Sequence, residues 1–241
     1  RVGVWGFAAL ALLMVPAAWA AGRVDALPLP HQPGEGDSAR AALRVALRNP
    51  LFVVLAVTYF VCGMQLVFLT THLPSYLDVC GMDPMLSAQA LGVIGGFNVL
   101  GSLFFGWAGG RWNKLVLLGA IYTLRSLALA WYFVAPPTPA GTLVFAGIMG
   151  FLWLGVAPLV TGWIGETFGL KWLAMLAGIA FVGHQLGSFV GAFGGGLVFD
   201  LAGSYTLAWQ IGVALGLAAG LVQGGYAWLH GRGGPPRLQP G

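Results

Sequence analysis

Seven apolar stretches, each about as long as a bilayer is thick, follow one another along this chain and restrict what it can fold into. They run over roughly 2–22, 51–77, 86–109, 115–135, 141–163, 173–199 and 207–229. A helix needs about 20 apolar residues to cross the hydrocarbon core. Only 7% of the 241 residues are charged, against 58% hydrophobic, whereas a soluble domain carries about a quarter charged residues. Such a chain cannot cover itself with a water-facing surface. A membrane β-barrel would alternate apolar and polar residues in stretches of about ten, and no such alternation is present. The expected fold is an all-α membrane protein with seven transmembrane helices.

The charges that remain lie between the stretches. Arg23, Arg40, Arg44 and Arg48 share one connection, Arg111 and Lys114 another, Lys171 a third, and Arg232 and Arg237 the tail. The alternate connections near Asp78–Asp83, Pro136–Gly141 and Asp200–Tyr205 hold no Lys or Arg. By the positive-inside rule the long linker and the C-terminus are expected in the cytoplasm, in a plasma or inner membrane. The linker, 23–50, opens with Pro28, Pro30 and Pro33 and the acids Glu35 and Asp37. Ser38 can then cap a short helix that carries Arg40, Arg44 and Arg48 on one face. That helix reads either as a solvated linker or as a basic strip resting on anionic headgroups. The division expected is a first helix over 1–22, the linker over 23–50, six helices over 51–230 and a cytoplasmic tail over 231–241. The first stretch could pass for a signal peptide. It is nevertheless long enough to span, contains Pro16 and runs into a charged linker, so it reads as a helix of a larger protein.

Helix packing is written in glycine. Gly183, Gly187, Gly191 and Gly195 recur at every fourth position of the sixth stretch, as Gly212, Gly216, Gly220 and Gly224 do in the seventh. Such stripes let backbones approach closely in lipid. There is also an internal echo. Leu100-Gly101-Ser102 and Gly109-Gly110 return as Leu186-Gly187-Ser188 and Gly195-Gly196, at a constant offset of 86 residues. With three helices between the copies, the second would be inverted relative to the first, as in many transporters. The offset pairs Asn98 with His184.

Polar residues at membrane depth are the candidates for chemistry. Arg125 lies mid-span, where a charge costs about 2.5 kcal/mol or more and usually faces an interior cavity. No acidic residue lies at matching depth, so its partner is expected to be backbone, a substrate or a residue outside the chain. Gln65, Thr70, Thr71 and His72 form a polar stripe ahead of Pro74, which favours a broken helix. His72 and His184 could carry protons, since imidazole titrates near neutrality; either could equally be a hydrogen-bonded packing residue. His184 and Gln185 lie mid-span on the glycine-striped helix, while Phe97 and Trp153 are expected to fill space. The two cysteines, Cys62 and Cys80, form neither a metal motif nor a disulfide framework, and no cofactor is expected. Phosphate-loop, nucleophile-elbow and zinc-helix signatures are absent, so no enzyme is expected. The last stretch has no Lys for a Schiff base, and no basic patch with exposed aromatics suggests nucleic acid.

The segment Gly106-Trp-Ala-Gly-Gly110-Arg111-Trp-Asn-Lys114 is similar to the cytoplasmic G-x-x-x-D-R-x-G-[RK]-[RK] turn of the major facilitator superfamily. Phe168-Gly169, then His184-Gln-Leu-Gly-Ser-Phe-Val-Gly191 and Gly196-Leu-Val-Phe-Asp200-Leu-Ala-Gly203-Ser-Tyr205, resemble that fold's eleventh helix and following loop, nearest to the monocarboxylate and oxalate/formate branch. The resemblance implies helices six to twelve of a twelve-helix fold, with 23–50 as the central loop and an N-terminal half outside this sequence as partner. It implies a secondary transporter for a small organic solute, such as a monocarboxylate, working by alternating access with ion or proton coupling. Gln65, Thr71, His72, Asn98, Arg125, His184 and Gln185 are the substrate-site candidates, and Gly106, Arg111 and Lys114 carry the loop motif. Three departures stand out. Gly110 replaces the usual acidic residue of the loop, which weakens the expected charge clamp. Phe97-Asn98-Val-Leu-Gly101 ends in Ser102 where the oxalate/formate branch has Arg, and His184 falls where that branch has Lys. Arg125 would lie on helix nine, normally peripheral. A drug or metabolite exporter is the alternative within the class, and a non-transporting sensor or assembly partner the alternative outside it.

Overall fold

The structure, a computed structural model, describes residues 38–135 and 137–230 together with the isolated positions 12, 15, 16 and 19. Two compact units, Arg1–Pro33 and Gly34–Gly241, divide the chain. In the first, the described positions are helical; the rest of the stretch expected over 2–22 lies outside the described residues, as do 23–37 and the tail from 231. The second unit holds eight helices among the described residues: α1 Ala39–Arg48, α2 Pro50–Val79, α3 Pro84–Gly109, α4 Lys114–Val134, α5 Pro139–Phe151, α6 Val156–Phe168, α7 Leu173–Ala202 and α8 Thr206–His230. With α5 and α6 taken together, six segments are long and apolar enough to cross a membrane.

Short polar signals set the helix starts. Ser38 Oγ accepts from the Ala41 amide and opens α1, whose Ala42 and Ala46 are buried while Arg40, Arg44 and Arg48 face outwards. Asn49-Pro50, Asp83-Pro84 and Thr138-Pro139 open α2, α3 and α5, in each case a capping side chain followed by a proline at the first helical position. The cap satisfies a free amide, and the proline occupies a position where an N–H would have no partner. Asn113 caps α4 by accepting from the Leu115 and Val116 amides. Gly203 ends α7 at φ +64°, a conformation glycine adopts without strain.

Pro74 does not break its helix. α2 runs unbroken from Pro50 to Val79, with Leu73 and Leu77 buried on either side of the missing hydrogen bond. The interruption lies elsewhere, at Leu152–Gly155 between α5 and α6, where Asn98 of α3 accepts from the Leu154 amide across the gap.

Three pairs of helices carry most of the packing: α2 with α7, α3 with α5, and α4 with α8. Glycines make each contact possible. Cβ atoms at Gly187 and Gly191 would overlap the carbonyls of Phe60 and Met64 on α2, and one at Gly101 would overlap the carbonyl of Phe151. Gly119 of α4 lies against Gly220 and Gly224 of α8. The α7 stripe and Gly216, Gly220 and Gly224 of the α8 stripe are thus packing seams, as the spacing predicts, while Gly212 faces open space. Gly101 and Gly187, the two echo positions, do the same task, each seating a neighbouring helix's carbonyl. The pairing of α2 with α7 is the repeat counterpart of the pairing of α5 with α3. Two apolar clusters result: one holds Phe52, Leu118, Ile164 and Leu176, the other Leu73, Ile94, Phe145 and Trp209.

Lipid supplies no hydrophobic drive between helices, so these seams stand on close contact alone. Gly187→Leu should therefore lower stability by about 1–3 kcal/mol or prevent folding. Gly178→Leu, where a side chain meets open space, should leave the melting temperature in detergent within a few degrees of wild type. Equal losses for both variants would refute the seam.

Candidate functional site

Between the two apolar clusters lies a belt of polar side chains. Gln65 of α2 is 1% exposed and Arg125, near the centre of α4, is 0% exposed. The Arg125 Nε donates to Gln65 Oε1 at 3.2 Å, and its Nη1 approaches Cys62 Sγ at 3.4 Å. Gln65 Nε2 donates to Ser126 Oγ at 3.0 Å and to the Gly212 carbonyl of α8 at 2.8 Å. One amide therefore ties α2, α4 and α8 together. The guanidinium also stands 5.4 Å from the Tyr122 ring centroid, close enough for attraction to the π face. Deeper on the same side, Thr58 donates to Gln223 Oε1 at 2.8 Å. Among the described residues the buried atoms Arg125 Nη2, Tyr122 OH, Gln223 Nε2 and Trp209 Nε1 have no hydrogen-bond partner.

The partner expected for Arg125 was backbone, substrate or a residue outside the chain; the guanidinium is instead held by two side chains of α2. Its charge is solvated by an amide oxygen and a sulfur atom. Burial of an unpaired charge is expensive, and the dipoles of Gln65 and Tyr122 meet part of that cost without a carboxylate. Of the other candidates, His72 lies two turns along α2. It is buried between Phe68 and Tyr205, whose ring centroids are each 5.2 Å away, and bonds the Ala192 carbonyl of α7 at 2.9 Å. His184 is half-buried, stacked on Phe181 and 4.6 Å from the Tyr59 ring, with Nδ1 at 3.3 Å from Gln185 Oε1. Cys62 lies between His184 and Arg125. Thr71 and Gln185 are exposed on the bundle's surface. Asn98 braces the α5–α6 interruption. The candidates thus separate into an interior set of Gln65, Arg125 and His72 and a more open set of Thr71, Asn98, His184 and Gln185. Thr58, Cys62, Ser126 and Gln223 belong to the belt and escape a reading by residue type. Only the helical spacing of Thr58, Cys62 and Gln65 along α2 hints at them.

A cavity of about 170 Å³ lies between α2, α7 and α8, with Gln65, Phe68, Gly191, Gly194 and Trp209 in its walls. At the loop motif, Lys114 Nζ and Glu166 Oε1 form an ion pair at 2.6 Å between α4 and the end of α6. A clamp therefore exists despite Gly110, with the acid supplied by a different helix. Arg111 lies over the Trp107 ring at 4.2 Å, while Gly106 faces open space. No group of three or more His, Cys, Asp or Glu able to hold a metal occurs among the described residues.

Comparison with known proteins agrees with this architecture. The model of the Major Facilitator Superfamily matches residues 1–192. The chain belongs to that superfamily. Among curated proteins it is 26% identical over 186 residues to an uncharacterised MFS-type transporter, YcxA, of Bacillus subtilis (strain 168), covering 70% of this chain and 42% of that protein. It is 28% identical over 151 residues to monocarboxylate transporter 13 of Bos taurus, covering 61% of this chain and 35% of that protein. The aligned region is thus less than half the length of either relative. Family and spans together make this an integral, multi-pass membrane protein.

The belt and the surface ion pair should differ in weight. Gln65→Leu strands the Nε of a buried guanidinium and should cost about 2–4 kcal/mol in unfolding measurements. Glu166 is 63% exposed, so Glu166→Gln should cost less than about 1 kcal/mol. Comparable losses would show that Gln65 does not carry the packing assigned to it.

Proposed function

We propose that this chain is helices six to twelve of a secondary transporter that moves a small organic solute, a monocarboxylate being the class favoured, by alternating access. In this reading 1–22 is helix six, 23–50 the central cytoplasmic loop, 51–230 the C-terminal six-helix half and 231–241 a cytoplasmic tail. The observation that carries it is the openness of α3 and α7. Each is sealed along one side by close-approach glycines, yet they are among the least buried of the spans. A helix that crosses a membrane while half its surface lacks a protein neighbour faces lipid or another part of its own fold. On α3 and α7 that surface carries the partly open Asn98, His184 and Gln185, polar groups that are costly to leave in hydrocarbon. An N-terminal half set against this face would enclose them in a cavity between the two halves.

The alternation of basic loops supports the cytoplasmic placement of the linker and tail. The monocarboxylate class rests on the residues of α7 and the following loop quoted above, and on the name of the bovine relative. His184 is the candidate for proton coupling. Its titratable neighbours on α2 are Tyr59 and Cys62, with Gln185 beside it on α7. His72, closed in by aromatic rings and an α7 carbonyl, is less accessible to substrate. Arg125, enclosed by α2 and α4, positions Gln65 and does not itself touch solute.

Uptake of a panel of carboxylates into proteoliposomes by the full-length transporter tests the proposal. A monocarboxylate should accumulate and a cationic drug should not. His184→Ala should abolish the dependence of uptake on pH. Retention of the wild-type pH profile would remove His184 from the coupling role, and failure of every carboxylate would overturn the substrate class.

A further inference from the structure

The basic face of α1 has no part in the transport reading. We infer that it is a docking surface for the anionic headgroups of the leaflet at the start of α2. Arg40, Arg44 and Arg48 would meet the phosphates, and Leu47 the upper part of the acyl chains.

Depth comes first. α2 holds 30 residues, which at 1.5 Å each reach about 45 Å, the thickness of a bilayer with its headgroup regions. Its first residue, Pro50, therefore stands at headgroup level. α1 ends at Arg48, with Asn49 alone between the two helices. Asn49 Oδ1 accepts from the Leu51 amide at 2.9 Å, which makes the link a cap as well. Packing ties α1 to the same level from the side. Ala42 and Ala46 are buried, and Ala46 shares an apolar cluster with Phe52 of α2 and Leu176 of α7. At this end of α7, Lys171 Nζ stands 5.1 Å from the Trp172 ring centroid, and tryptophan favours the interface.

Chemistry then selects the occupant. The three arginines recur at every fourth position, so they share one face of the helix, and all are exposed. α1 contains no acidic residue, and among the described residues none of the three makes an ion pair. A row of guanidinium groups suits phosphate, which each can bind through two N–H groups. Basic clusters just outside a span are also drawn to anionic lipid by the surface potential of the leaflet. Water would satisfy the arginines but not Leu47, which flanks them and is 56% exposed. A helix lying at the boundary between headgroups and chains places both kinds of side chain. A protein partner would have to bring carboxylates and an apolar strip to this depth together; an anionic leaflet offers phosphates and chains all around the bundle.

The test places benzoylphenylalanine at position 47 of the intact protein, in nanodiscs of equimolar phosphatidylglycerol and phosphatidylcholine. Light-induced adducts are read by peptide mass spectrometry. Lipid adducts are expected, with phosphatidylglycerol exceeding phosphatidylcholine by about five-fold or more. Arg40→Gln, Arg44→Gln and Arg48→Gln together should bring that ratio to about one, while Lys at the same three positions should preserve most of it, because charge is retained. All three positions are exposed, so neither set disturbs the packing of Ala42 and Ala46. Wild type with no lipid adducts, or with the two lipids in equal amounts, would overturn the docking surface. An unchanged ratio in the Gln variant would do the same, and so would cross-links to another protein segment in place of lipid.

Discussion

The hydrogen bond from Arg125 to Gln65 is the constraint on which the interior depends. A guanidinium at the centre of a membrane helix must find partners within the protein, because neither water nor lipid supplies them. Here it finds the Gln65 side chain, and Gln65 spends its remaining donors on α4 and α8. That arrangement requires α8 to come very near α2. Gly216 meets the requirement: a Cβ at that position would collide with Gln65 Nε2 and Ser126 Oγ. The glycine spacing of α8 thus serves the polar belt as well as its seam with α4.

The same logic separates interior from exterior. Where helices seal against one another, glycines face carbonyls and the belt's polar side chains bond to one another, leaving Arg125 Nη2, Tyr122 OH and Gln223 Nε2 without partners. Where α3 and α7 are open, the polar side chains are incompletely enclosed. Arg125 falls in the first region even though its charge makes it the most conspicuous candidate for a ligand site. His184 falls in the second. A buried charge already bonded to two side chains of α2 is suited to holding a wall in place.

Much of this was legible in the residues alone. Apolar length and loop charge predict the six described spans, and the four-residue glycine spacing predicts the seams on α7 and α8. The cap-proline pairs Asn49-Pro50, Asp83-Pro84 and Thr138-Pro139 mark helix starts with still better precision. Two expectations failed for a shared reason. Pro74 was expected to break α2, and Arg125 to lack a side-chain partner in the chain. Both depend on what neighbouring helices place at that depth, and a single span does not specify its neighbours. α2 continues through Pro74 with Leu73 and Leu77 buried beside it; Gln65, 60 positions from Arg125, receives the charge. The Lys114–Glu166 pair, with 52 residues between its partners, was hidden in the same way.

The internal repeat sharpens the contrast between its two copies. At the offset of 86 residues, α2 corresponds to α5 and α6, and Gln65 to Phe151. Gln65 is pinned by three hydrogen bonds at mid-depth in an unbroken helix. Phe151 ends α5 at the point where helical pairing lapses. The counterpart of Arg125 is Ile211, in the wall of the cavity between α2, α7 and α8. At one end of the offset the helix carries polar bonds to its neighbours, and at the other it carries apolar residues and a break bridged by Asn98. The interruption at Leu152–Gly155 is where α5 and α6 part, and it is Asn98 of α3 that meets the amide freed there.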